Sequence, residues 1–120
     1  EDWVLVNNDI STGLYTSATQ LPREMPTAFV CHCDMAAHYL LATLNEHGYR
    51  CPEDVSIMSF DNTRLAETCP PLTSVDIEPR AFVRLALDLL TNEELRSANT
   101  RFYLSASLVE RQSAGPAKEA

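Results

Sequence analysis

The sequence predicts an α/β domain, a parallel sheet flanked by helices. Two observations carry this. Short apolar runs alternate along the chain with apolar residues at helical spacing. Three of the runs are closed by an aspartate, Asp9, Asp34 and Asp61, as expected where parallel strands open onto a common rim.

Trp3 to Val6 is an unbroken apolar run, a buried strand broken by Asn7-Asn8-Asp9. Ser11-Thr12-Gly13 leads into a helix of modest propensity carrying Leu14, Ala18 and Leu21, ended by Pro22. Thr27 to His32 is the second strand, with Ala28, Phe29, Val30 and Cys31 as its apolar run. Asp34 can N-cap the helix that follows, whose stripe is Ala37, Leu40, Leu41 and Leu44. Gly48 stands where a left-handed C-cap belongs, and His47 in the last turn suits the helix dipole when protonated.

Cys51-Pro52-Glu53-Asp54 reads as a turn, and Val55 to Phe60 as the third strand, closed by Asp61-Asn62. Residues 62–71 are irregular and end in Pro70-Pro71; Leu72 to Ile77 is extended. Glu78-Pro79 opens a late helix with proline at its first position and a core stripe of Phe82, Leu85, Ala86, Leu89 and Leu90. Asn92 to Thr100 is mostly polar. Arg101 to Glu110 alternates Phe102, Leu104, Ala106 and Leu108 as a half-buried strand. Ser113 to Ala120 is small and polar, so the expected organisation is one domain over residues 1–112 with a flexible tail over 113–120.

The 120 residues suffice for one domain with a real core. A formal net charge of −8 repels phosphate backbones, so these residues alone are a poor DNA-contacting surface. No apolar run approaches the roughly 18–20 residues that span a bilayer, and no membrane association is expected. The acidic start, Glu1-Asp2-Trp3, lacks the basic region of a signal peptide, and the chain reads as part of a longer one. Cys31, Cys33, Cys51 and Cys69 form no recognisable disulfide framework, which fits a reducing, cytoplasmic setting. C-x-C is not the C-x2-C pairing of zinc ribbons; His32, His38 and His47 lie nearby, but ordinary packing is the expected role, with no metal and no cofactor.

Ionised carboxylates only accept hydrogen bonds, so a rim holding Asp9, Asp34 and Asp61 suits a molecule rich in hydroxyls or amines. With only Gly13, Gly48 and Gly115 there is no Gly-rich phosphate loop. The same aspartates are equally at home as caps and turn residues, and both roles stay open. A divalent cation could also use such oxygens, but no D-x-D-x-D loop occurs. Cys31 or Cys33 beside His32 is the one local nucleophile–base pair, and neighbours on a strand point opposite ways; no G-x-S-x-G elbow is present, and no enzyme is expected.

The stretch Gly48-Tyr49-Arg50-Cys51-Pro52-Glu53-Asp54-Val55-Ser56-Ile57-Met58-Ser59-Phe60-Asp61 resembles a signature of LacI-family transcriptional regulators, as does Pro70-Pro71-Leu72-Thr73-Ser74-Val75. Pro26-Thr27-Ala28, Asp34-Met35-Ala36-Ala37, Glu78-Pro79 and Leu108-Val109-Glu110-Arg111-Gln112-Ser113 are similar to further family segments, so the resemblance covers about residues 9–113. It implies most of the second lobe of a two-lobed, periplasmic-binding-protein-like fold, with the late helix packing on a first lobe outside this chain. It also implies a small-molecule effector, sugar-like or a related polyol or nucleoside, held between the lobes, a homodimer, and operator DNA bound through a headpiece outside these residues. Residue by residue, Asp61 occupies the effector-contacting aspartate. Cys33 stands where many members carry a ligand-contacting Asn, and a thiol is a poorer partner. Asp34 matches the Asp after it. Asp9 matches loosely a residue near the cleft, and Ile10 replaces an aromatic that stacks on sugar rings. Ser59 replaces a Gly. His38 and Leu41 fall on the family's dimer surface, although Leu41 reads equally well as core. Two alternatives share these residues: a lobe of a periplasmic solute-binding protein for transport, and a small α/β enzyme using a cysteine or the aspartate rim.

Overall fold

The best apolar stripe of the sequence builds the central helix, α1 (Asp34–Glu46), on which Ala37, Leu40, Leu41 and Leu44 are all buried. In the computed structural model, residues 21–98 and 101–117 are described, together with the backbones of two short strands, β1 (Asn8–Asp9) and β2 (Leu14–Tyr15). Cys33, not Asp34, caps α1: it is extended, and its Sγ accepts from the Ala36 N–H at 3.5 Å. At the other end Gly48 takes φ +81° and donates to Asn45 O, while Tyr49 N–H reaches back to Leu44 O at 2.9 Å. Only backbone conformation demands glycine here, because a Cβ at position 48 would meet nothing within 4 Å.

The main sheet has the order β3-β4-β5-β6, from β3 (Ala28–Val30), β4 (Ser56–Phe60), β5 (Thr73–Asp76) and β6 (Ser107–Val109). The first three are parallel, with Phe29 opposite Ile57 and Ser59 opposite Ser74; β6 is antiparallel to β5, with Val75 opposite Leu108. β4 alternates as a strand covered on one face should: Ile57 and Ser59 are fully buried while Ser56, Met58 and Phe60 are only partly covered. α1 lies over that face. The core joins Cys31 and the α1 stripe to Ile57, Leu72 and Ala66, which comes from the short 3₁₀ turn Arg64–Glu67.

Four expectations need correction or restriction. The strand expected at Trp3 to Val6 lies outside the described residues. The helix expected after Gly13 is absent at Leu14–Tyr15, where the backbone is a strand paired antiparallel with Asn8–Asp9. Its stripe is short and its Ser and Thr content high, so the helical preference is weak. The half-buried strand expected over Arg101 to Glu110 shrinks to β6, with Phe102 and Leu104 exposed. Ser113, expected in a flexible tail, is fully buried. Its Oγ donates to Ile57 O at 2.6 Å and accepts from Thr73 N–H at 2.8 Å, and its own C=O accepts from Ile57 N–H at 2.7 Å. A small hydroxyl fits the gap between β4 and the start of β5, so the ordered sheet unit runs past residue 112.

The late helix forms where expected, as α2 (Pro79–Thr91), but no residue in it is buried. Phe82, Val83, Leu87 and Leu90 are 55–73% exposed. Its close neighbour is the short helix α3 (Glu93–Ser97). Of the expected stripe, Phe82 and Leu90 are exposed, while Leu85, Ala86 and Leu89 are part-buried. Among the described residues no helix is long and apolar enough to cross a membrane.

Ile57 sits at the centre of the core with no exposed surface. Ile57→Ala is expected to cost about 3 kcal/mol, read as a lower urea midpoint with an unchanged slope.

Candidate functional site

The carboxyl ends of β3, β4 and β5 open onto one rim, where α1 begins and the Asp61–Asn62 turn lies. Asp34 is the buried member, 1% exposed. Its Oδ1 accepts from Ser59 Oγ at 2.6 Å and Ser74 Oγ at 2.7 Å, its Oδ2 from Thr63 N–H at 2.6 Å and Thr63 Oγ1 at 2.8 Å. One carboxylate thus ties the start of α1 to β4, to β5 and to the loop after β4. Burial pushes the Asp34 carboxyl up, and hydrogen bonds from Ser59, Ser74 and Thr63 outweigh it, leaving the group below its ordinary value. All four acceptor positions being occupied, Asp34 has none left for a bound molecule.

Asp61 is its opposite. Its backbone turns through φ +96°, with its N–H held by Val75 O at 2.9 Å. The side chain is part exposed, and among the described residues its carboxylate makes no hydrogen bond or ion pair. Asn62 follows at φ +47°, a left-handed position that Asn tolerates. Its N–H reaches Ser74 Oγ at 3.1 Å, its Nδ2 donates to Asp76 Oδ2 at 2.9 Å, and its Oδ1 accepts from Arg111 Nη2 at 2.6 Å. Arg111 Nη1 also donates to Leu72 O at 2.8 Å, and Asp76 Oδ1 accepts from Glu78 N–H at 2.8 Å. Hydrogen bonds from Asn62 and then Glu78 lower the Asp76 pKa.

Of the residues singled out in the sequence, the structure brings Cys33, Asp34 and Asp61 to this rim. Cys33 is part exposed, its sulfur engaged in the cap. Asp9 is described only as backbone, paired with Leu14, and Ile10 lies outside the described residues. His38 is exposed on α1, whereas Leu41 is 4% exposed and belongs to the core, which removes it from an outward dimer surface. Asn62, Asp76 and Arg111 escaped attention as a cluster because they come from three distant segments; the Asn after Asp61 was the available signal.

Two of the four cysteines, Cys31 and Cys51, offer little nucleophilicity. Burial pushes Cys31 up to about 12 and Cys51 up to about 11, so neither holds appreciable thiolate at neutral pH. Among the described residues no group of His, Cys, Asp and Glu is arranged to hold a metal ion. Away from the rim, an open groove of about 450 Å³ runs along α2 between Pro79, Arg80, Val83, Arg84, Leu87 and Asp88.

Residues 2–114 match the model of the periplasmic binding protein-like domain family. Over 116 residues the chain is 33% identical to the HTH-type transcriptional repressor PurR of Vibrio cholerae serotype O1, covering 92% of this chain and 34% of that protein. It spans about a third of the length of the curated relatives it matches. Among solved structures, it is similar to a putative LacI transcriptional regulator from Bacillus cereus subsp. cytotoxis, with TM-score 0.67 and 28% identity, covering 78% of this chain and 34% of that one. It is also similar to the LacI-family regulator CCPA from Weissella paramesenteroides, solved with bound glucose, with TM-score 0.67 and 29% identity over 88% of this chain and 36% of that one. In sequence and fold the chain therefore corresponds to part of the effector domain of LacI-type regulators.

The four bonds at Asp34 generate a prediction. Asp34→Ala strands three side-chain hydroxyls and a backbone N–H, and is expected to cost on the order of 3 kcal/mol in urea unfolding. A carboxyl whose folded pKa lies below its unfolded one stabilises the fold above the unfolded value, about pH 4, and that contribution drains away as pH falls through the folded value. The wild-type midpoint should therefore drop below about pH 4, and more shallowly in Asp34→Asn.

Proposed function

Because this chain belongs to the periplasmic binding protein-like domain family, we propose that it is the effector-sensing portion of a LacI-type transcriptional repressor. The whole protein would bind a small molecule here and operator DNA through a headpiece outside these residues, as a homodimer acting in the cytoplasm. The observation that carries the reading is the contrast on the rim: Asp34 is fully satisfied, while Asp61, in the same loop as its partner Thr63, presents a carboxylate unengaged among the described residues.

An acceptor-only group held on a fixed turn recognises hydroxyl or amine hydrogens, so the effector class is a sugar, a related polyol or a nucleoside. Asp61 is its main contact. Cys33 lines the same edge as a weak partner, and the family resemblance adds Asp9 and Ile10 as candidate contacts. His38, exposed on α1, lies on the face assigned to the dimer. The bare stripe of α2 supports a further part of the same protein packing over it, closing the cleft above the rim. The repressor relatives support this reading over a transport receptor. They support no catalytic role, and the suppressed thiolates at Cys31 and Cys51 agree with that.

A thermal-shift screen of sugars, polyols and nucleosides on the full-length protein identifies the effector. Asp61→Ala should then weaken it by roughly 30–100-fold, the loss of hydrogen bonds to a charged group, while operator binding without effector stays at the wild-type level. Unchanged effector affinity in Asp61→Ala would remove Asp61 from the site. The isolated 120-residue chain, with the α2 stripe bare, should associate with rising concentration in sedimentation velocity, and Leu87→Arg should reduce that association.

A further inference from the structure

The chain leaves the sheet once and re-enters it once within the late region. It goes out after β5, from Asp76 through left-handed Glu78 (φ +52°) into α2, and it comes back along β6 to Arg111. α2 and α3 lie between those two crossings, and where the chain returns Ser107 pairs with Asp76. One side chain reaches the strand that leaves and the segment that follows the strand that returns. The Asn62 amide gives Nδ2–H to Asp76 at the end of β5, and its Oδ1 accepts from Arg111, just past the end of β6.

We infer that Asn62 is a clasp: its amide ties the end of β5 to the segment after β6, and so reinforces the strand pair from which the α2–α3 excursion leaves and to which it returns. The chemistry selects this residue twice. An amide places a donor and an acceptor in one plane, and here the donor faces a carboxylate and the acceptor a guanidinium. The reverse orientation would point NH2 at guanidinium and oxygen at carboxylate, so the partners fix which way the amide lies. A carboxylate in its place would keep Arg111 and repel Asp76; an apolar side chain would serve neither. The backbone, at φ +47°, is one that Asn adopts readily.

Each partner is itself pinned. Arg111 is anchored by its second arm on Leu72 O, Asp76 by its second oxygen on Glu78 N–H. The Asn62 N–H rests on Ser74 Oγ, which donates to Asp34. A displacement of the clasp therefore passes to both segments rather than being absorbed by loose side chains. A residue present only to make the turn would need the left-handed backbone and neither amide bond. The inference concerns the sheet and its two crossings and holds whatever binds at Asp61.

The test is hydrogen exchange on the full-length protein, followed by mass spectrometry of segments 76–80 and 107–112. Asn62→Gly keeps the left-handed turn and removes the amide, and both segments should exchange about tenfold faster. Asn62→Asp keeps the acceptor for Arg111 and sets a like charge against Asp76; only segment 76–80 should speed up, with 107–112 staying near wild type. That asymmetry separates a clasp from a turn residue. Wild-type exchange in both segments of Asn62→Gly would overturn the inference. So would an Asn62→Asp effect equal in the two segments, or one spread evenly over β3 and β4. Should Asn62→Gly fail to fold, the Asn62→Asp asymmetry alone decides.

Discussion

The carboxylate of Asp34 is the constraint on which the rest of the rim depends. A buried charge is costly unless its acceptor positions are filled, and here each is. The donors come from a strand, its neighbour and the loop between them, so satisfying Asp34 fixes three pieces of chain at once. Thr63 is held by both its N–H and its hydroxyl, which leaves the preceding Asp61–Asn62 turn little freedom. The group also sits in the first turn of α1, where the helix dipole favours negative charge. Ser59 stands where the resembling family carries Gly, and its hydroxyl is one of the four donors. This chain thus holds its buried aspartate by a contact that a glycine could not make.

Local signals were legible where an apolar pattern was long and punctuated, and failed after Gly13, where Leu14–Tyr15 is a strand. The Ala37, Leu40, Leu41, Leu44 stripe, Gly48 after it and the Val55–Phe60 run all reappear as α1, its left-handed end and β4. The parallel pairing of β3 with β4 followed from the helix between them, whereas that of β5 did not, since residues 62–71 read as irregular. Long-range partners were not legible. Asp34 directly before a helical run looks like a cap, because the pattern that marks a cap is local. Its true donors are 25 to 40 residues away, and Cys33 takes the capping role instead. Ser113 failed in the same way: small, polar and near the end of the chain, it reads as tail, yet a gap between β4 and β5 needs a residue of that size and chemistry.

The late helix shows a different kind of limit. Periodicity said that α2 has an apolar face and was right; it could not say what that face meets. A hydrophobic stripe states a need for cover, not the identity of the cover. In a chain that spans about a third of its relatives' length, the cover need not be in the chain at all. The same reasoning explains the contrast between helices. The α1 stripe is flanked in sequence by β3 and β4 and packs against β4, whereas the close neighbour of α2 among the described residues is α3.

The two aspartates of the rim divide the work by environment rather than by type. Each follows a strand, and nothing in the residue itself distinguishes a scaffold from a contact. What distinguishes them is the supply of donors. Ser59, Ser74 and Thr63 converge on Asp34 and consume it; none of them reaches Asp61. A site built this way keeps its geometry before anything binds, since the turn carrying Asp61 is fixed from beneath by a group that no ligand has to touch. Preorganisation of that kind lowers the ordering cost of binding. On the proposed function, changes behind the rim, at Ser59 or Thr63, would then act on recognition at Asp61 without contacting the molecule recognised.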